Sequence, residues 1–233
     1  SELGLSNVHT DTEGNVIGLN VSGADIGNTG DGVRVLAPAN LIGGSASGAR
    51  NVISGNNGQG IEVFTGGQNT IIRGNHIGTD STGTLDRGNS TDGIYVAAGG
   101  AIIGGSNAGE GNLISGNGGD GIELNGITAI NNLVLGNIIG ANISGNTGLP
   151  NASGVLITTS SRSNIVGGVT AGAANLIAFN TGDGIGVAAA AANTNNNFRG
   201  NALFSNGNLG IDLGAAGITA NDVTARFSIH GGR

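Results

Sequence analysis

The chain has 233 residues, with a formal net charge of −7, 49 Gly, 2 Pro and no Cys. The missing Cys excludes a disulfide framework and thiol chemistry. The 8 basic residues are scattered singly, so they give no charge footprint for nucleic acid or for an anionic membrane surface. We therefore expect no nucleic-acid partner and, because no transmembrane run is present, no membrane insertion.

From the first quarter of the chain onward, an Asn recurs with Ile or Leu two residues after it. The members of this series are Asn15, Asn51, Asn75, Asn112, Asn137, Asn175 and Asn201. The gaps between them alternate between about 25 and about 37 residues, which indicates a solenoid built from two unequal coils.

A second motif follows each of these Asn residues: Gly, then Ile or Val, then an apolar residue two positions on. Its Ile or Val is Val33, Ile61, Ile94, Ile122, Val155, Ile185 and Ile211. Every second coil has a longer connection before this motif, at residues 18–31, 78–92 and 141–153. A third apolar run, such as residues 41–43 or 102–104, completes three short strands per coil, each bounded by turn-forming residues.

Three segments carry a family resemblance: NLISGNGGDGIEL at 112–124, NHIGTDSTGT at 75–84 and NGNLGIDLG at 206–214. They resemble the parallel β-helix repeats of large bacterial secreted and cell-surface proteins, which share the pectate-lyase-like scaffold. The resemblance covers nearly the whole chain. It implies an all-β, right-handed, single-stranded parallel β-helix of about seven coils with three sheets, located outside the cell or on its surface. The same scaffold serves pectin-degrading enzymes, epimerases, tailspikes, adhesins and inert stalks, so function has to be argued from a site.

The landmarks predict one domain over residues 1–222, because no change of composition interrupts them. The last stretch, 223–233, does not continue the repeat and is predicted to be a separate tail. A solenoid has exposed strand edges at its ends, and neither terminus has the pattern of an amphipathic capping helix. We therefore expect end-to-end self-association, or neighbouring coils in a longer parent protein.

The repeated Asn residues are expected to stack at one turn, with each amide bonding backbone groups or the next Asn. Asp31, Asp92, Asp120 and Asp183 each precede the Gly of the second motif. An Asp in this position is typical of an Asx turn that bonds its own backbone. However, Asp92 and Asp120 belong to successive coils, so their carboxylates would lie about 5 Å apart. Such a pair would suit Ca²⁺, although no calcium-loop motif is present.

The middle residue of the second motif faces solvent, because side chains alternate along a strand. The outward row predicted in this way is Arg34, Glu62, Tyr95, Glu123, Leu156, Gly186 and Asp212. It combines acids, an Arg and the only Tyr of the chain. The three long connections are expected to wall one side of this row and to form a groove.

Within the row, Glu62 and Glu123 are the candidate catalytic pair. They would lie two coils, or about 9.6 Å, apart. Inverting glycosidases hold their carboxyl groups about 6.5 to 9.5 Å apart. The candidate substrate-binding residues are Arg34, Tyr95, His76, Asp86 and Arg87.

Two functions remain open from the sequence. One is an extracellular module that is structural or contacts a polysaccharide. The other is a carbohydrate-active hydrolase or lyase, assisted by Ca²⁺ if Asp92 and Asp120 bind it. The chain has no nucleophile elbow, no His-Glu-x-x-His and no phosphate loop. The catalytic signatures of the pectinases are also missing in their usual setting.

Overall fold

A computed structural model describes residues 10–46, 48–189 and 192–214, together with the backbone of residues 3–5. The predicted tail at 223–233 lies outside the described residues. Within them the chain forms 22 strands and no helix.

The first sheet has eight parallel strands, joined in chain order. They are β1 (Leu3–Leu5), β4 (Val33–Val35), β7 (Ile61–Val63), β10 (Ile94–Val96), β13 (Ile122–Asn125), β16 (Val155–Thr158), β19 (Ile185–Val187) and β22 (Ile211–Asp212).

The second and third sheets have seven parallel strands each. The second consists of β2 (Asp11–Thr12), β5 (Leu41–Ile42), β8 (Ile71–Ile72), β11 (Ile102–Gly104), β14 (Leu133–Leu135), β17 (Ile165–Val166) and β20 (Asn197–Phe198). The third consists of β3 (Val16–Ile17), β6 (Val52–Ile53), β9 (His76–Ile77), β12 (Leu113–Ile114), β15 (Ile138–Ile139), β18 (Leu176–Ala178) and β21 (Ala202–Phe204). Each strand pairs with the strands three positions before and after it in the chain. The predicted parallel β-helix is confirmed, with seven turns through all three sheets and one further strand.

Branched aliphatic side chains fill the interior, and like residues stack on like. In the first sheet Val33, Ile61 and Ile94 are successive partners, and none of them is exposed. Ile53, Ile77 and Ile114 form the equivalent row in the third sheet. These residues form one continuous core because each strand adds its inward side chain directly above the previous one.

The predicted Asn ladder lies at the turn between the second and third sheets. Asn112 is representative. Its Nδ2 donates to Ile72 O and Asn137 Oδ1, both at 2.9 Å, and its Oδ1 accepts from the N and Nδ2 of Asn75, both at 3.0 Å. All four hydrogen-bonding positions of this buried amide are therefore used.

A second ladder, which the sequence analysis missed, lies at the turn between the third and first sheets. It consists of Asn28, Asn56, Asn89, Asn117, Asn151, Asn180 and Asn206, linked by Nδ2-to-Oδ1 bonds. A shorter series links Asn132, Asn164 and Asn196 at the remaining turn. Stacked amides thus hold two of the turns along the described solenoid and the third turn over part of its length.

The three long connections do leave the third sheet and enter the first, as predicted. Each closes on itself through an antiparallel bridge, Leu19 to Asp25, Thr79 to Asp86 and Ala141 to Gly148. One Asx residue per loop accepts backbone N–H bonds from the returning arm: Asn20, Asp80 and Asn142. The loops therefore have a repeating structure of their own.

The middle parts of these loops do not border the first-sheet row as expected; only the last residues of the connections, such as Asp31 and Asp92, reach its edge. The contacts of the middle parts lie on the outer face of the third sheet, where a Cβ added at Gly83 would come 2.7 Å from Leu113 Cδ2. The cause lies in the third sheet itself: Val52 and Leu113 point outward there and are apolar, so the loops bury them to 5% and 2% exposure. Burying that apolar surface favours packing of the loops over the third sheet.

Candidate functional site: the outer face of the first sheet

The outward row of the first sheet has the predicted register. Arg34 is aligned with Glu62, Glu62 with Tyr95, and Tyr95 with Glu123. Glu123 is aligned with Leu156, which ends the continuous run of charged and aromatic residues. The two glutamates lie two coils apart with Tyr95 between them, as the repeat predicted.

The N-terminal end of the row is an ion pair supported by an aromatic ring. Arg34 Nε lies 2.9 Å from Glu62 Oε2, and the guanidinium carbon lies 4.5 Å from the centre of the Phe64 ring. A cation over an aromatic face is held by the ring quadrupole. Phe64 follows β7 and was not predicted as a site residue. It could have been predicted from its position two residues after Glu62, because side chains two residues apart on a strand point to the same side.

The middle of the row contains a hydrogen-bonded carboxylate, that of Glu123. Glu123 Oε1 accepts bonds from Asn125 Nδ2 at 2.8 Å and from Thr158 Oγ1 at 3.0 Å. Asn125 shares the strand of Glu123, while Thr158 is the partner of Asn125 in the next coil. Tyr95, half-buried, lies between this group and the Arg34–Glu62 pair.

The Asp residues before the second motif bond to the next coil rather than to their own turn. Asp92 Oδ1 accepts from Asp120 N at 2.7 Å, and Asp120 Oδ1 accepts from Ser153 N at 2.8 Å. Asp31 and Asp183 do the same with Gln59 N and Leu209 N. The predicted Asx turn is therefore corrected, because coil stacking brings the N–H of the neighbouring coil within reach of the carboxylate. These residues form a polar ladder along the edge of the first sheet.

Burial and neighbouring acids change the protonation of this edge. Burial raises the pKa of Asp92 to about 7, and the charges of Glu123 and Asp120 act in the same direction. The pKa of Asp120 is also raised, first by burial and also by the charge of Glu123. The pKa of Tyr95 is raised by burial and then by Glu123, Glu62 and Asp92. Asp92 is thus an acid on this face that holds its proton up to near neutral pH.

The pair Asp92 and Asp120 offers few ligands for Ca²⁺. One oxygen of each carboxylate already accepts a backbone N–H. In the described part of the chain, no group of three or more His, Asp or Glu side chains is arranged to hold a metal ion. Because Ca²⁺ takes six to eight oxygen ligands, the pair alone does not fit the ion. Calcium stays a prediction for experiment.

The other predicted binding residues lie elsewhere. His76 is on β9 of the third sheet and is 2% exposed beneath the loop at 78–92. Asp86 and Arg87 are in that loop. Arg87 Nε donates to Gly23 O at 3.2 Å, which links two successive long loops, and Asp86 Oδ1 accepts from Gly88 N. Their contacts connect and brace loops on the third-sheet side, so these three residues do not join the row.

The C-terminal end of the first-sheet face has a depression of about 240 Å³. Gly186 occupies the row here, between Leu156 and Asp212, and Asp183 borders the same space. A glycine in the row leaves the depression open, since no side chain projects from that position.

The second sheet offers no comparable chemistry. Its outward row is Asp11, Leu41, Ile71, Ile102, Leu133, Ile165 and Asn197. In the third sheet, loops cover the outward residues from Val52 to Leu113, whereas Val16 is 56% exposed. Among the described strands, the first sheet alone therefore presents aromatic, acidic and basic groups side by side.

The described architecture is that of a parallel β-helix with amide ladders at its turns. Comparisons with protein-family models, with curated proteins and with solved structures gave no match. Over the residues that the structure describes, no helix has the length and apolar character needed to cross a bilayer.

Proposed function

We propose that this chain is an extracellular β-helix module that contacts a polysaccharide through the outer face of its first sheet. The observation that carries the proposal is the alignment of Tyr95 between Glu62 and Glu123, with Phe64 and Arg34 beside them. Aromatic rings provide apolar area for the faces of sugar rings, and carboxylates accept hydrogen bonds from hydroxyl groups.

The rigidity of the scaffold supports the same proposal. Each residue of the row is fixed by strand pairing to the coils below and above it, and Glu123 is held further by Asn125 and Thr158. A preorganised surface loses little conformational entropy on binding. Coils about 4.8 Å apart also give an extended chain regularly spaced contacts along the axis. The module belongs, on this proposal, to a larger secreted or surface protein of the bacterial kind that its repeats resemble.

Binding to a glycan array, followed by titration of the best ligand, tests the proposal. Tyr95→Ala should weaken binding about fivefold, because it removes an aromatic contact worth on the order of 1 kcal/mol. Tyr95→Phe keeps the ring and should bind nearly as well, and Leu85→Ala, on a loop over the third sheet, should bind as the wild type. If no glycan binds, the module is a structural spacer. If Tyr95→Ala binds normally, the glycan uses another face.

A carbohydrate-active hydrolase or lyase is the second candidate, and the raised pKa of Asp92 beside Glu123 favours it. An acid that keeps its proton near neutral pH can serve as a general acid, and a nearby carboxylate can serve as a base. In this version of the site Asp92 takes the acid role that the sequence assigned to one of the two glutamates.

Turnover of any bound polysaccharide distinguishes the enzyme from the module. Glu62→Gln, Glu123→Gln and Asp92→Asn are the informative variants, each checked for an unchanged fold by circular dichroism. Loss of turnover by orders of magnitude in Glu62→Gln and Glu123→Gln would identify the glutamate pair. Loss with Asp92→Asn and Glu123→Gln, but not with Glu62→Gln, would identify Asp92 as the acid and Glu123 as the base. Loss with Asp92→Asn and with a chelator would identify the acidic ladder and a Ca²⁺ requirement. Binding without turnover in the wild type would contradict the enzyme.

A further inference from the structure

His76 points outward from the third sheet yet is buried. Its strand partners in the adjacent coils are Val52 and Leu113, and its exposed fraction is 2%. The loop at 78–92 closes over it: a Cβ added at Gly83 would lie 3.0 Å from His76 Cε1. The ring is therefore enclosed by two aliphatic side chains and by loop backbone.

The hydrogen bonds of the ring allow one proton and leave no place for a second. His76 Nδ1 lies 3.3 Å from the carbonyl oxygen of Asp80. Because a carbonyl only accepts, Nδ1 carries the hydrogen in this contact and Nε2 is the unprotonated nitrogen. Nε2 is buried and has no hydrogen-bond partner. A proton added there would bring a charge and an unmatched donor into an apolar space.

In the described part of the chain, the charged groups that act on His76 are Arg50 and Asp80. Arg50, just before β6, disfavours a second positive charge, and Asp80 in the covering loop favours it. Residues 112–114 and 141–150, which lie on the other side, contain no charged residue. The pKa of His76 is lowered, first by burial and then by Arg50, and the bond and charge of Asp80 only partly offset this. The closed loop thus favours the neutral ring.

We propose that His76 makes the loop at 78–92 an acid-sensitive cover, closed over the neutral ring and opened when the ring takes up a proton. Opening exposes Val52 and Leu113, so the third sheet presents an apolar face in acid that it conceals at neutral pH. In linkage terms, the open state binds the proton more tightly than the closed state. Closure is therefore fully favoured above the pKa of an exposed His and weakens as the pH falls below it.

Other groups in the same loop do not produce this effect. Burial opposes ionisation of Asp80, but hydrogen bonds from Thr82, Leu85 and Thr84 prevail and lower its pKa to about 2, so Asp80 stays ionised at pH 5. Asp92, at the end of the loop, has a raised pKa, so acid favours the folded state in which it is buried and does not drive opening.

Amide hydrogen exchange at pH 7.5 and pH 5.0, corrected for the intrinsic exchange rate, tests the proposal on the unmodified protein. Protection of residues 80–87 should fall by roughly fivefold or more in acid, since linkage to one proton allows up to tenfold per pH unit. The loop at 141–150 is the internal control, because it has a similar bridge but lies beside Ile138 and Leu176 instead of a His. Its protection should not change, apart from that of Ile143, whose N–H donates to Gly83 O in the covering loop. Equal change in the two loops, or none in either, would overturn the proposal.

His76→Leu introduces leucine, which is already present at the aligned position of β12, Leu113. It should keep the protection of residues 80–87 at pH 7.5 and remove the dependence on pH. Binding of an apolar fluorescent dye in acid should disappear in the same variant. An unaltered loss of protection in acid in His76→Leu would show that another group opens the loop.

Discussion

At the scale of single residues, the ladder amides give the sharpest test of stability. Asn112→Leu removes four hydrogen bonds and leaves Ile72 O and Asn75 N without their partner inside the protein. We expect a loss of at least about 1 to 3 kcal/mol in the free energy of unfolding, the usual penalty for one buried unsatisfied group. Denaturant unfolding monitored by circular dichroism measures it.

Asn57→Leu is the matched control for that substitution. Asn57 is exposed and immediately follows the ladder residue Asn56. Surface substitutions usually change stability by less than about 0.5 kcal/mol. If Asn112→Leu unfolded together with Asn57→Leu, the ladder would not be a source of stability.

Asp92 gives a prediction of pH dependence. Its folded pKa of about 7 lies above the ordinary value of 3.8, so the folded protein keeps a proton that the unfolded chain has released. The contribution of Asp92 to the free energy of unfolding is therefore largest below about pH 4 and is lost as the pH rises toward 7. Asp92→Asn keeps an acceptor for Asp120 N without the charge, and we expect it to stabilise the protein by on the order of 1 to 3 kcal/mol at pH 8. At pH 4 the variant and the wild type should melt alike, and a gain of equal size at both pH values would rule out this origin.

Residue-level reasoning predicted the outward row well and the hydrogen bonds poorly. The positions of Arg34, Glu62, Tyr95 and Glu123 follow from alternation along a strand, which is a local rule. The partner of Asp92 lies 28 residues away, in another coil, so no local turn rule could find it. The second Asn ladder did leave a signal: in most coils its Asn lies at a constant offset before the Gly-Ile or Gly-Val motif.

At the scale of elements, each long loop has an Asx side chain that caps the returning arm, and this role can be tested by substitution. Asp80 Oδ1 accepts from the backbone N–H of Thr84 and Leu85, and Asn142 has the same role in the third loop. Asp80→Asn should therefore leave the loop intact, whereas Asp80→Ala should loosen it by about 1 kcal/mol. Protection of the Leu85 amide against hydrogen exchange is the measurement, and equal protection in the two variants would contradict the capping role.

The docking of these loops was not predicted, although the sequence contained its cause. Strands β6 and β12 have apolar residues at both positions, Val52–Ile53 and Leu113–Ile114. A strand that is apolar on both sides is buried on both faces, so something had to cover the third sheet. The apolar outer face of the third sheet, rather than the polar row of the first sheet, therefore decides where the loops pack.

At the scale of the whole molecule, stability depends on coil stacking. Ile114 is fully buried between Ile77 and Ile139 of the adjacent coils. Ile114→Ala should cost about 2 to 5 kcal/mol, since it leaves a cavity that rigid coils cannot close. Thermal unfolding measures the loss, with Ile127→Ala, at a residue 65% exposed, as the control. Equal melting temperatures for the two variants would mean that the assigned interior is wrong.

The repeat made the whole fold predictable because every coil carries the same information. Seven copies of two motifs fix the strand positions, the register and the interior, whatever happens at any single residue. The ends lack that redundancy. The proposed end-to-end association and the tail at 223–233 remain predictions, since the coils contain nothing that specifies what covers the terminal edges.

The central functional claim is that the first-sheet row is the binding face. Nuclear magnetic resonance of the labelled protein, titrated with the oligosaccharide that binds best on the array, tests it most directly by locating the contact. We predict that the largest shift changes occur at Phe64, Tyr95 and Glu123 and that they saturate together with one affinity. Changes confined to the loops over the third sheet, or to the outward row of the second sheet, would contradict the account.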